Sequence, residues 1–90
     1  MKIKVAYIAR VGDDGPVKIG ESTHPKMRVE AIQAQHYQTL KIIRVCRGGT
    51  TERWLHKQFA HLRIRGEWYH FDPAMLTARQ PKRRIAAVAK

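Results

Sequence analysis

The sequence predicts an α/β (α+β) domain: a small three-stranded, mainly antiparallel sheet flanked by helices. Three observations carry that expectation. Ninety residues leave room for one modest core; apolar runs rich in Val and Ile recur between turn-forming segments; and two stretches that open on capping residues continue with apolar side chains at helical spacing.

Residues 2–11, KIKVAYIARV, form the first expected strand. Ile3, Val5, Tyr7, Ala9 and Val11 alternate onto one face, and Lys2, Lys4 and Arg10 fall on the other. Gly12-Asp13-Asp14-Gly15-Pro16 is dense in turn formers, and Val17 and Ile19 follow at once, which is a hairpin pattern with Lys18 and Gly20 on the opposite face. Ser22 and Thr23 can cap a helix and Pro25 suits its first turn. Met27, Ala31 and Ala34 then recur at helical spacing until the pattern fades near His36, with Arg28, Ile32 and Gln35 along another side.

Leu40 to Cys46 reads as a third strand, expected at the centre of the sheet and ended by Gly48-Gly49. Thr50 and Thr51 can cap the second helix, whose apolar stripe is Leu55, Phe59 and Leu62; Glu52 and His56 share the neighbouring stripe. Asp72-Pro73 looks like a cap and first turn of a short helix through Leu76. The expected domain is 1–78, followed by a basic tail, 79–90.

Eighteen Lys and Arg against seven Asp and Glu give a net charge of +11, a field that attracts polyanions, of which nucleic acid is the commonest. A ribosomal or merely very soluble basic protein would share that charge. The single cysteine, Cys46, excludes an intrachain disulfide and a thiolate zinc cluster and suits a reducing cytoplasm, the expected location. The five histidines, at 24, 36, 56, 61 and 70, match no compact zinc spacing. No run is long and apolar enough for a signal peptide or a membrane span, so no membrane partner is expected. Neither a Walker or dinucleotide loop nor a serine-histidine-acid pattern is visible.

Hydrolysing a phosphodiester needs an activated water, charge neutralisation at phosphate and help for the leaving oxygen, which a carboxylate-held metal and one arginine can largely supply. Among the acids, Asp13 and Asp14 sit in a turn, Asp72 looks like a cap and Glu30 has no obvious partner, leaving Glu21, Glu52 and Glu67. Glu52 lies in the first turn of a helix, where acids are also common without any function. His56, one turn later, can orient Glu52, touch phosphate or cap a polar stripe.

Taken in order, VAYIAR, VKIGES, Pro25-Lys26-Met27-Arg28, ERWLHKQF and RGEWYHF resemble the GIY-YIG nuclease superfamily. Within it they look like the small phage and bacterial branch, in which E-x-x-x-H on a helix precedes a GEW-aromatic signature. The resemblance covers residues 3–77. It implies a GIY-YIG-like fold, with Ala6-Tyr7-Ile8 at the first motif and Lys18-Ile19-Gly20 at the second. Tyr7 then helps activate water, Arg28 stabilises charge on the phosphate, Glu52 holds one Mg²⁺ or Mn²⁺, and His56 lies in the same cleft. Glu67 is expected to pair with a basic residue beneath the site rather than to act, and Trp68 to belong to the core.

Two departures accompany the resemblance: Lys18 stands where the second motif has tyrosine, and the chain contains no asparagine. Lysine can touch phosphate as a point charge but does not reproduce a phenol. The leading expectation is a metal-dependent endonuclease on DNA, with RNA as a second candidate substrate. In it Tyr7 with Lys18 or His56 prepares the water, and Lys26, Arg53, Lys57, Lys82, Arg83 and Arg84 contact the backbone. The alternative is a catalytically weak or inactive nucleic-acid-binding module with a regulatory role. A basic RNA-associated protein is the third reading, and it would leave Tyr7, Arg28 and Glu52 scattered. Nothing in the sequence sets the oligomeric state.

Overall fold

A computed structural model of the chain describes residues 3–35 and 38–81. Strands β1 (Val5–Val11) and β2 (Val17–Ser22) form a hairpin, helix α1 (Pro25–Gln33) follows, and β3 (Leu40–Cys46) returns beside β1. Helix α2 (Glu52–Gln58) leads through a single 3-10 turn, Ala60–Leu62, into two very short strands, β4 (Arg63–Arg65) and β5 (Trp68–Tyr69), and a 3-10 helix, Pro73–Leu76, ends the described chain.

The sheet has five strands, all antiparallel, in the order β3-β1-β2-β5-β4. This corrects the three-stranded expectation. The two added strands have three and two residues, too few to show any apolar alternation, and Arg63-Ile64-Arg65 offers one apolar side chain between two cations. Their pairing is a matter of backbone: Gly66, with φ of 55°, closes the turn between them, and β5 sets Tyr69 against Val17 and Trp68 against Lys18. The expected central place of β3 is corrected as well. Among the described residues it pairs only with β1 and forms one edge, because Ile and Val enrichment marks a strand that packs well without fixing its position.

Both faces of β1 are buried, which a one-sided pattern did not foresee. Ala6 and Ile8 join Val17, Ile19, Cys46, Leu55, Phe59, Tyr69 and Met75 in one apolar cluster, while Tyr7, Ala9 and Val11 join Val29 and Leu40 in another. Helix α1 covers the second face through Val29 and Ile32; Met27, on the stripe that looked apolar, is 65% exposed. Pro25 opens α1, and the Ser22 hydroxyl accepts from the His24 amide at 3.0 Å. Helix α2 covers the first face. Its cap is Thr51, whose hydroxyl accepts from the Trp54 amide at 3.2 Å, and fully burying Leu55 contributes about 1.5–3 kcal/mol.

The last described segment is pinned by polar contacts as well as by Met75. Asp72 caps the Ala74 amide at 2.8 Å, Arg44 donates to the Met75 carbonyl at 2.8 Å, and Gln80 bonds both Thr50 and Thr51. Among the described residues no helix is long and apolar enough to cross a membrane.

Candidate functional site

The site grows from the place where the sheet's ladder stops. Because β5 is only two residues long, no strand among the described residues lies beside β2 beyond Lys18 on that side. Backbone groups there still require partners. The Ile19 amide donates to the Glu67 carbonyl at 2.9 Å, and the Ile19 carbonyl accepts from His56 Nε2 at 2.9 Å. One strand residue therefore fixes both the turn carrying Glu67 and the helix face carrying Glu52 and His56. Since a carbonyl can only accept, His56 carries a proton on Nε2. That nitrogen lies 3.7 Å from Glu52 Oε2, and the imidazole packs against Tyr69 with ring centroids 5.4 Å apart.

Glu52 and Glu67 meet carboxyl to carboxyl and share a hydrogen bond. Lys18 Nζ donates to Glu67 Oε1 at 2.6 Å, with the Lys18 side chain only 13% exposed. Burial, the hydrogen bond and charge of Glu67, and the charge of Glu21 push Glu52 up to about 7, against the pull of Lys18. Burial acts in the same sense on Glu67, but the hydrogen bonds from Lys18 and Glu52 and the charges of Lys18 and His56 outweigh it and hold this carboxyl below its ordinary value. The two shifts run in opposite senses: the pair favours the proton on Glu52 and the negative charge on Glu67, which faces Lys18.

Tyr7 lies on the other side of this edge, directly across from Gly20 in the ladder. A Cβ on residue 20 would sit 2.6 Å from the Tyr7 hydroxyl, so the close approach of ring to strand demands glycine. The ring is 1% exposed, and the hydroxyl hydrogen-bonds to Arg28, whose residue is exposed on α1. Burial pushes the phenol above its ordinary value, with Arg28 opposing the shift and the charges of Glu67 and Glu52 adding to it. Tyr7, Arg28, Lys18, Glu52 and His56 are accordingly brought together around the open edge of β2.

Lys26, Arg53 and Lys57 are exposed, whereas Lys82, Arg83 and Arg84 lie outside the described residues. Glu52 and His56 line a depression of about 530 Å³ together with Arg53, Lys57, Arg63 and Tyr69. A larger cleft of about 630 Å³ lies at β3 and the C-terminal segment, lined by Arg44, Arg47 and Arg79, and contains none of the site carboxylates. The second motif contains Gly20 without giving its reason, the Tyr7 ring, whereas the expected pairing of Glu67 with a basic residue is met by Lys18. The Glu-x-x-x-His spacing pointed at Glu52 and His56, but Lys18 and Glu67 are 49 residues apart in the chain and only the fold joins them.

Residues 4–88 match the model of the T5orf172 domain. The chain belongs to the T5orf172 domain family. No curated protein and no solved structure matches it. T5orf172 domains are associated with nuclease-type phage proteins, and membership points to a nuclease-like or DNA-binding role for this chain. In this T5orf172 domain, Glu52, His56 and Glu67 each bring one ligand atom within 4.8 Å of the others. Two carboxylates are hard oxygen donors of the kind Mg²⁺ and Mn²⁺ take, so the residues fit such an ion. His56 is less available than its place implies, because its Nε2 proton is committed to the Ile19 carbonyl.

Proposed function

We propose that this T5orf172 domain binds DNA and hydrolyses its phosphodiester bonds with one divalent ion, Mg²⁺ or Mn²⁺, held by Glu52. The observation that carries the reading is the meeting of Glu52, Lys18 and the Tyr7–Arg28 pair around one strand, β2, in a chain of net charge +11. A bound ion would supply Lewis acidity at the phosphate and lower the pKa of a coordinated water.

The chain's own groups do the rest. Arg28 is exposed and rests on the Tyr7 hydroxyl, so its free N–H groups can take a phosphate oxygen without leaving that support. Arg53, Lys57 and Arg63 line the depression beside Glu52 and offer positive charge to the flanking backbone. His56 holds the Glu52 face of α2 against β2 through Ile19.

A second reading, a binding module that cleaves weakly or not at all, is favoured by one observation: the groups that could serve as bases are spoken for. Lys18 is paired with Glu67, His56 Nε2 is bonded to Ile19, and Tyr7 is buried with its phenol raised. Incubation with supercoiled, branched and single-stranded DNA in Mg²⁺, Mn²⁺ or EDTA separates the two. Cleavage that requires metal and falls about 100-fold or more in Glu52→Ala and Arg28→Ala, the scale of losing a principal electrostatic group, supports the enzyme; salt-sensitive binding with no metal-dependent cutting supports the module.

A further inference from the structure

We infer that Glu67 is the second carboxylate ligand of the divalent-ion site, and that Lys18 is a tethered counterion occupying its charge position until the ion arrives. The inference rests on the metal reading above and adds two residues to it.

The geometry is specific. The ligand atoms of Glu52 and Glu67 belong to one group within 4.8 Å, a spacing that ligands of a single ion can reach with small side-chain movements. Glu67 is not free to drift, because its own carbonyl accepts from Ile19 at 2.9 Å. Glu52 is held on the first turn of α2 by the Thr51 cap and, through His56, by the same Ile19. Two carboxylates fixed face to face need a positive partner, and the protein supplies one: the Lys18 ammonium, 2.6 Å from Glu67 Oε1 and largely screened from solvent by the side chains around it.

Lys18 is a stand-in cation in the chemical sense. Its ammonium also sits over the Trp68 ring, 5.7 Å from the ring centre, a contact that does not depend on the carboxylate. A divalent ion carries twice its charge and can engage both carboxylates at once, so entry of the ion would release Lys18 from Glu67 and would release to solvent the proton held between Glu52 and Glu67. Until then the Lys18 ammonium compensates the pair of acids in the absence of metal.

The test is Mn²⁺ binding to the full chain, read by the loss of the free-ion paramagnetic resonance signal and by calorimetry, with no DNA present. Glu67→Gln and Glu52→Gln should each weaken binding about 10-fold or more, and Lys18→Met should tighten it several-fold. The double variant Lys18→Met with Glu67→Gln, which leaves no unpaired charge, should bind as weakly as Glu67→Gln alone and guards against misfolding of the single variant. Unchanged Mn²⁺ affinity in Glu67→Gln and in the double variant would overturn the ligand assignment while leaving Glu52 intact. Unchanged affinity in Lys18→Met overturns the counterion role. Unchanged affinity in Glu52→Gln removes the metal reading itself.

Discussion

The two halves of β2 share one neighbour, β1, and differ on the other side. At Val17 and Lys18 the strand is paired with β5 and its inward side chain is sealed among Ile8, Leu55 and Met75; from Ile19 onward the neighbouring strand is gone and side-chain and loop groups complete the backbone. The paired half serves stability. The open half serves as a mount, because whatever bonds Ile19 is held as firmly as the sheet itself. A short β5 is thus what turns an ordinary hairpin edge into a place where a helix, a turn and a glycine-backed tyrosine converge.

Breaking the paired half should cost most. Leu55→Ala, at a fully buried position under β2, is expected to lower unfolding free energy by about 2–5 kcal/mol in a denaturant titration. An effect below about 1 kcal/mol would mean that this face is not the main core. Disturbing the open half should cost less and act locally. Gly20→Ala forces a methyl to within 2.6 Å of the Tyr7 hydroxyl, and the resulting strain should remove about 1–3 kcal/mol and displace Arg28 from its support, visible as a larger loss of DNA binding than of helical circular dichroism.

His56→Ala leaves the Ile19 carbonyl without its partner, at a cost of about 1–3 kcal/mol. Amide exchange should quicken in α2 before it does in β1. If protection is lost uniformly, Ile19 is not the link between helix and sheet.

The smallest effect is a pH dependence. Folding raises Glu52 from an ordinary 4.5 to about 7, so between those values the folded chain binds more protons than the unfolded chain and stability falls as pH rises. Glu67 is held below its ordinary value of 4.5, so its contribution is fully present above that value and is lost only as pH falls below it. In metal-free buffer the melting temperature should therefore decline from about pH 5 to pH 7, and Glu52→Gln should flatten that decline. A melting temperature that rises steadily over this window in the wild type would contradict the shared proton.

Much of the fold was legible where period and length were adequate. Tyr7, Ala9 and Val11 do share a face, Gly12 does begin the hairpin turn, Thr51 does cap α2, and Asp72 does cap the terminal turn. Local chemistry determines such features within a few residues. What escaped were arrangements set at long range: β4 and β5 lack a side-chain signature, β3 gave no sign that it was an edge, and Met27 recurs at helical spacing although α1 buries Val29. The site divided in the same way. Glu52 and His56 were visible four residues apart, while the role of Glu67 depends on Lys18 across the sheet and on a Glu52 contact that no spacing encodes.

Strand β4 has a consequence beyond closing the sheet. It is an outermost strand, and an exposed strand edge is where a second molecule can add its own backbone and begin a fibre. Here that edge is only three residues long and presents Arg63 and Arg65 on either side of Ile64, so an approaching copy would have to align like charges before gaining a single ladder bond. The short cationic margin disfavours pairing of copies through β4, and a polyanion that neutralises those arginines is what would remove the guard.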